Sequence, residues 1–112
     1  MSDDAPLGND ASPPAGSGVP SGAISKELLI INKRGLHARA SAKFVQTVER
    51  FNAEVWVTRG GETVGGTSIM GLMMLAAGPG TTIMVSTIGP DADAALKAIT
   101  ELVESKFNEE GT

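Results

Sequence analysis

The sequence predicts an α+β domain in which a four-stranded, mostly antiparallel sheet is covered on one face by three helices. Two observations predict this fold class. Short β-branched runs alternate with segments whose apolar residues recur at helical spacing, which gives the element order β-α-β-β-α-β-α. The length of 112 residues suffices for one compact domain, and elements in this order bury their apolar faces as two packed layers.

The N-terminal part of the chain differs in composition from the rest. Residues 1–24 consist mainly of Ser, Gly, Ala, Pro and Asp, and such a stretch buries too little apolar surface to offset the entropy lost on ordering. We therefore expect a disordered extension over 1–24 and a folded domain over 25–112. The extension lacks the basic start and apolar run of a signal peptide, and no later segment approaches the roughly 20 apolar residues of a membrane span. These features predict a cytoplasmic protein with no membrane partner.

Charge and residue content exclude several classes of site. Three aspartates and no basic residue give the extension −3 of the total charge of −4, which leaves −1 on the folded part. A nearly neutral domain with no Tyr, one Trp and three Phe is not expected to bind nucleic acid. The absence of cysteine excludes disulfides and thiolate metal sites, and we expect no metal site and no cofactor.

The first part of the folded region is predicted to hold a strand at 27–32, a helix at 38–50, and paired strands at 54–59 and 62–66. Apolar and β-branched residues mark the strands. The helix is indicated by an apolar stripe at Ala40, Phe44, Val45, Val48 and Phe51. Gly60-Gly61 is typical of a two-residue hairpin turn, which places the paired strands side by side.

The second part is predicted to hold a short helix at 69–76, a central strand at 81–88 and a last helix that follows Asp91. Ser68 and Asp91 are residue types that cap a helix N-terminus. The strand is rich in β-branched residues, which pack well inside a sheet. The last helix carries a continuous apolar stripe at Ala92, Ala95, Leu96, Ile99, Leu102, Val103 and Phe107.

His37 is the single histidine of the chain and lies where the first loop meets the first helix. The unpaired N–H groups of a first helical turn attract an anion, and the positive helix end favours a neutral, nucleophilic ring. Arg39 adds a permanently charged guanidinium, and Gly35 lets the loop bend so that the ring is exposed. Together these groups suit reversible phosphoryl transfer to nitrogen. The same local features fit equally well a histidine that only caps the helix.

A basic patch surrounds His37. It consists of Lys33, Arg34, Arg39 and Lys43, and no acidic residue occurs from position 28 to 48. Such clusters are often no more than a solvated helix start. Cations are disfavoured at a helix N-terminus, however, so their presence here indicates an anion site.

Ser68 begins a segment that is unusually apolar for a short surface helix. Helical spacing directs Leu72, Leu75 and Ala76 towards the sheet. It leaves Ile69, Met70 and Met73 together on another face, where flexible methionines suit a docking patch for several partners. No other extended apolar face is evident, so we expect a monomer.

The hexapeptide Gly35-Leu36-His37-Ala38-Arg39-Ala40, with Ser68 downstream, resembles the HPr family, the phosphocarriers of the bacterial phosphoenolpyruvate-dependent phosphotransferase system. The likeness extends from about residue 26 to 110. It implies an open-faced β-sandwich with three helices. It also implies that His37 accepts a phosphoryl group on Nδ1 from phosphorylated enzyme I and passes it to an enzyme II A component, with help from Arg39. Such a chain is a covalent intermediate of a relay and not an enzyme.

The resemblance adds a regulatory role for Ser68, phosphorylation by HPr kinase/phosphatase in species that have it. It also implies that the docking patch contacts these partner proteins. Ala40 stands where many relatives have proline, which pre-forms a first helical turn, and Thr67 stands where many have Lys or Asn. Whether the relay serves sugar uptake or a regulatory branch is left open.

Two other functions fit parts of the sequence. A regulatory module that has lost phosphotransfer would act through Ser68 and the docking patch alone, but the retained His37 and Arg39 favour the carrier. A small-ligand or RNA-binding domain is disfavoured because aromatic residues are scarce and the folded part has no broad basic face.

Overall fold

The structure, a computed structural model, describes residues 19–109. Residues 1–18 of the predicted disordered extension therefore lie outside the described residues, and the first strand begins at Ile24. The elements are β1 (Ile24–Leu29), α1 (Ala38–Val48), β2 (Glu54–Arg59), β3 (Glu62–Gly65), α2 (Ile69–Met74), β4 (Thr82–Ile88), α3 (Ala92–Glu104) and a short 3₁₀ helix (Lys106–Asn108) that we call the C-terminal turn. No helix within 19–109 is long and apolar enough to cross a membrane.

The four strands form one sheet in the order β1-β4-β2-β3, and every neighbouring pair is antiparallel. β4 lies between β1 and β2, which confirms its predicted central position. The register pairs Leu28 with Ile83 and Val57 with Val85, so apolar side chains from three strands share one face. The predicted α+β class and the mostly antiparallel sheet are confirmed.

The helices bury their apolar stripes against that face. Fully buried side chains come from all layers: Ile30, Phe44, Val57, Leu72, Ile83, Val85, Ile99 and Phe107. Phe44 is the central residue of the predicted α1 stripe, and its burial is worth about 1.5–3 kcal/mol. Phe51, the last member of that predicted stripe, lies beyond α1 and is only half-buried.

Three predicted elements have different bounds in the structure, and the first of the corrections is that α1 ends at Val48 rather than at 50. The first strand was expected at 27–32, but the ladder with β4 runs from Ile24 opposite Thr87 to Leu29 opposite Thr82. The short helix was expected to reach Ala76 and to turn it towards the sheet. It ends at Met74, and Ala76 is exposed with a left-handed φ of 53°.

The predicted cap at Asp91 is also corrected. Asp91 occupies the residue before α3, but its side chain makes no capping hydrogen bond to that helix. Its Oδ2 instead accepts a hydrogen bond from the backbone N–H of Asn52 at 2.8 Å. The carboxylate therefore ties the start of α3 to the loop that leads into β2.

The C-terminal turn was not anticipated, because Phe107 was expected to continue the α3 stripe. Lys106, Phe107 and Asn108 have φ values of 58°, 57° and 54°, a left-handed conformation that costs roughly 1–2 kcal/mol for each such residue. Complete burial of Phe107 recovers about 1.5–3 kcal/mol of this cost. The turn reverses the chain and brings Glu109 beside the loop that precedes α1.

Candidate functional site

The loop before α1 is held against the segment that follows α2. Gly35 has a φ of +64°, and a Cβ at this position would lie 2.2 Å from the carbonyl oxygen of Ala77. The N–H of the buried Leu36 donates to that same oxygen at 3.0 Å. Only glycine fits here, so the bend expected at Gly35 is present and has a steric cause.

Asn32 supports this loop from inside the protein. Its side chain is completely buried, and Nδ2 donates to the carbonyl of Gly35 at 2.9 Å and to Oε1 of Glu109 at 3.3 Å. The Gly35 N–H returns a bond to the Asn32 carbonyl at 3.2 Å. Sequence reasoning missed this role, because Asn32 looked like the last residue of a strand.

His37 is the N-cap residue of α1. Its backbone is extended, with φ −73° and ψ −179°, and its Nδ1 accepts a hydrogen bond from the backbone N–H of Arg39 at 3.2 Å. The side chain is 21% exposed. His37 therefore combines the capping role with a partly exposed ring.

The other ring nitrogen meets a carboxylate that sequence reasoning did not find. His37 Nε2 lies 2.5 Å from Oε2 of Glu109, whose side chain is 7% exposed. Burial acts to raise the pKa of Glu109, but hydrogen bonds from His37 and Asn32, together with the charges of His37 and Lys43, lower it below its ordinary value. Glu109 is therefore ionised at neutral pH. The sequence feature that could have drawn attention to Glu109 is its position two residues after the aromatic Phe107.

These partners determine the ring tautomer. Nδ1 accepts from an N–H and carries no proton, whereas Nε2 faces an ionised carboxylate and donates its proton. The helix end alone was expected to govern the protonation of the ring. Glu109 is a second determinant, because its carboxylate contacts Nε2 and accepts the ring proton there.

The predicted basic patch is present but is not purely basic. Lys33, Arg34 and Arg39 are exposed. Lys43 is half-buried, and its Nζ donates to the carbonyl of Phe107 at 2.6 Å. Lys43 therefore anchors the C-terminal turn, and that turn brings the acidic Glu109 into the patch.

Ser68 and the docking patch lie on α2. Ser68 is exposed, and its Oγ accepts from the Gly71 N–H at 2.9 Å, which confirms the predicted cap. Leu72 and Leu75 are buried. On α2 the exposed apolar side chains are Ile69, Met70 and Met73, as expected, and also Met74, which is 72% exposed. The docking role remains a prediction.

Comparisons with known proteins agree with this arrangement. Residues 24–105 match the family model described as the PTS HPr component phosphorylation site. The chain is 52% identical over 86 residues to the phosphocarrier protein HPr of Neisseria meningitidis, covering 77% of this chain and 97% of that protein. It is similar to the crystal structure of HPr-C-His from Thermoanaerobacter tengcongensis, with a TM-score of 0.74 and 42% identity, covering 78% of this chain and 98% of that one.

A crystal structure of an HPr dimer from the same organism is also similar, with a TM-score of 0.62 and 44% identity, covering 73% of this chain and 94% of the other. These likenesses agree with the fold described above, a four-stranded antiparallel sheet with three helices. The chain therefore belongs to the HPr family, the phosphocarrier proteins of the phosphotransferase system.

Proposed function

We propose that His37 accepts a phosphoryl group on Nδ1 from phosphorylated enzyme I and passes it to an enzyme II A component. The observation that carries this proposal is the position of Nδ1, which accepts the Arg39 N–H at the N-terminus of α1. An unprotonated imidazole nitrogen is a nucleophile without further activation. Within residues 19–109 its hydrogen-bond partner is the Arg39 N–H at 3.2 Å, a long hydrogen bond that an incoming phosphoryl group displaces at low cost.

The surroundings of Nδ1 suit a phosphoryl group. Backbone N–H groups of the first turn of α1 point towards an anion at this end of the helix. The exposed guanidinium of Arg39 reaches a phosphoryl oxygen from the same turn. We infer that these donors stabilise the charge on the transferring group, and that the chain acts as a covalent intermediate with no catalytic centre of its own.

Ala40, which stands where many relatives have proline, contributes no group to phosphoryl transfer in this scheme. Its side chain is completely buried within the core, and α1 starts at Ala38 as expected. A proline at position 40 would restrict the first turn, but the His37 cap already organises it. We infer that Ala40 leaves phosphoryl transfer intact.

Ser68 is proposed as a regulatory site for HPr kinase/phosphatase. Its exposed hydroxyl is accessible, and a phosphate at the start of α2 keeps oxygen acceptors near the Gly71 N–H. The fold should survive this modification. Its effect would be exerted on Ile69, Met70 and Met73, which we propose as a docking patch for enzyme I, the enzyme II A component and the kinase.

We further propose that the protein works in the cytoplasm as a monomer. Met70 in the docking patch is the most exposed of the large apolar side chains in the described part of the chain, and a relay protein needs to keep such a patch accessible. Because a dimer is described for the Thermoanaerobacter relative, the oligomeric state of this protein should be measured in solution. Sedimentation at micromolar concentrations should give the mass of a single chain.

Phosphorylation of the purified protein tests the proposed function. The full chain is incubated with enzyme I, Mg²⁺ and phosphoenolpyruvate, and acid-labile phosphate is measured. The control is His37→Asn, because asparagine caps helices well but is not a nucleophile. Wild-type labelling that is absent from the variant supports the proposal, whereas equal labelling of both proteins contradicts it.

A further inference from the structure

We propose that Glu109 is a positioning residue for His37, and that it holds the ring proton on Nε2 before and after phosphoryl transfer. This inference deepens the proposed function and rests on it. It starts from the 2.5 Å contact between Glu109 Oε2 and His37 Nε2, which joins residues 72 positions apart. A group that orients a histidine through its second nitrogen selects the reactive tautomer.

The carboxylate of Glu109 is held in place on several sides. One oxygen contacts His37 and the other accepts from the buried Asn32 amide at 3.3 Å. Two residues earlier, Phe107 is completely buried, and its carbonyl accepts from Lys43 on α1 at 2.6 Å. Because core packing and hydrogen bonds restrain the turn, the carboxylate is preorganised and little entropy is lost when it orients the ring.

The charged groups near this pair in the chain come from α1 and from the loop before it. Lys43 on α1 acts on Glu109 through its positive charge. The loop contributes Lys33 and Arg34, and the first turn of α1 contributes Arg39, all of them exposed. These cations attract a phosphate. Unlike these cations, the Glu109 carboxylate contacts Nε2 of His37 directly.

The transfer step explains why the proton must stay on Nε2. The lone pair of Nδ1 forms a bond to phosphorus, while the bond between phosphorus and the leaving atom of the donor breaks and its electron pair stays with the donor. No proton leaves Nδ1, so the phosphorylated ring carries a positive charge with its proton on Nε2. Glu109 stabilises that charge. A protonated ring is the better leaving group, so the carboxylate also favours onward transfer and returns the ring to its starting tautomer.

The first test uses the unphosphorylated protein and needs no enzyme I. His37 is the only histidine, so a low-field ring N–H resonance in the proton NMR spectrum is assigned without ambiguity from selective ¹⁵N labelling of histidine. Wild type should show this resonance at neutral pH, protected from exchange with water. Glu109→Gln should lose that protection, and Asn32→Ala should weaken it. The exposed Glu104 near the end of α3 provides a matched control, and Glu104→Gln should leave the resonance unchanged.

The second test follows phosphohistidine hydrolysis against pH. Protein is phosphorylated by enzyme I or, independently, by the small donor phosphoramidate. Loss of the carboxylate should move the midpoint of the pH profile in Glu109→Gln to lower pH by about one unit, with wild-type behaviour largely restored in Glu109→Asp. A merely structural contribution would lower stability without moving this midpoint.

The outcomes separate the two proposals. Labelling by phosphoramidate but not by enzyme I would contradict the proposed function and leave the role of Glu109 supported by its pH profile. Labelling by enzyme I with identical pH profiles and identical N–H resonances in wild type and Glu109→Gln would overturn the inference alone.

Discussion

A Cβ on Gly35 would lie 2.2 Å from the carbonyl oxygen of Ala77, so the loop that presents His37 depends on a missing side chain. The same oxygen accepts the Leu36 N–H. The loop and the segment after α2 are therefore in direct backbone contact. Any group larger than hydrogen at position 35 must push them apart.

Gly35→Ala should lower the free energy of unfolding by about 2–4 kcal/mol, because a positive φ and a backbone clash act together. Urea denaturation provides the measurement. Gly60 supplies a matched control, since it has a φ of +61° but nothing within 4 Å of its Cβ position. Gly60→Ala should cost only about 1 kcal/mol. Equal losses in the two variants would show that steric contact with Ala77 is unimportant.

Acid should weaken the fold partly through Glu109. Its pKa is below the ordinary 4.5 in the folded protein, so ionised Glu109 stabilises the native state above that pH. This stabilisation is lost as the pH falls from about 4.5 through the lower folded-state pKa. The free energy of unfolding should therefore fall more steeply below pH 4.5 for wild type than for Glu109→Gln.

The partners of Glu109 should account for its titration. In His37→Asn the hydrogen bond and the charge of the ring are both removed while burial stays, so the pKa of Glu109 should rise. Carboxyl ¹³C shifts measured against pH provide the readout. An unchanged titration of Glu109 in this variant would mean that His37 does not contact it in solution.

Glu109 should also protect Nε2 from chemical phosphorylation. The carboxylate lies 2.5 Å from this nitrogen, whereas Nδ1 is covered only by a long bond from a backbone N–H. Phosphoramidate should therefore modify Nδ1 alone in wild type and both nitrogens in Glu109→Ala. Phosphorus and nitrogen NMR distinguish the two isomers. A single Nδ1 product from the variant would argue against this protection.

The docking patch should affect partner recognition without affecting stability. Met70 is 73% exposed, so Met70→Ser should leave the unfolding midpoint nearly unchanged. The KM for this protein in the enzyme I reaction should rise about 5- to 10-fold, as expected when an interface side chain worth more than 1 kcal/mol is truncated. Leu29→Ser, at an exposed site on edge strand β1, is the control and should leave KM unaltered.

The elements that follow local patterns were predictable. The bounds of β2 agree with its alternating residues, and Ser68 caps α2 through a bond that spans three positions. His37 caps the N-terminus of α1, in agreement with its predicted place where the loop meets the helix. These features depend on neighbours within a few residues, so helical periodicity, strand alternation and capping chemistry describe them adequately.

The sequence by itself determined the fold class, the place of His37 at a helix start and the glycine bend before it. Only the tertiary structure decided which groups contact the ring. The contacts of Glu109 with His37 and Asn32 span 72 and 77 positions, and they form because burial of Phe107 reverses the chain after α3. Local sequence patterns carry no information about such a contact, because its geometry depends on the packing of Phe107 in the core.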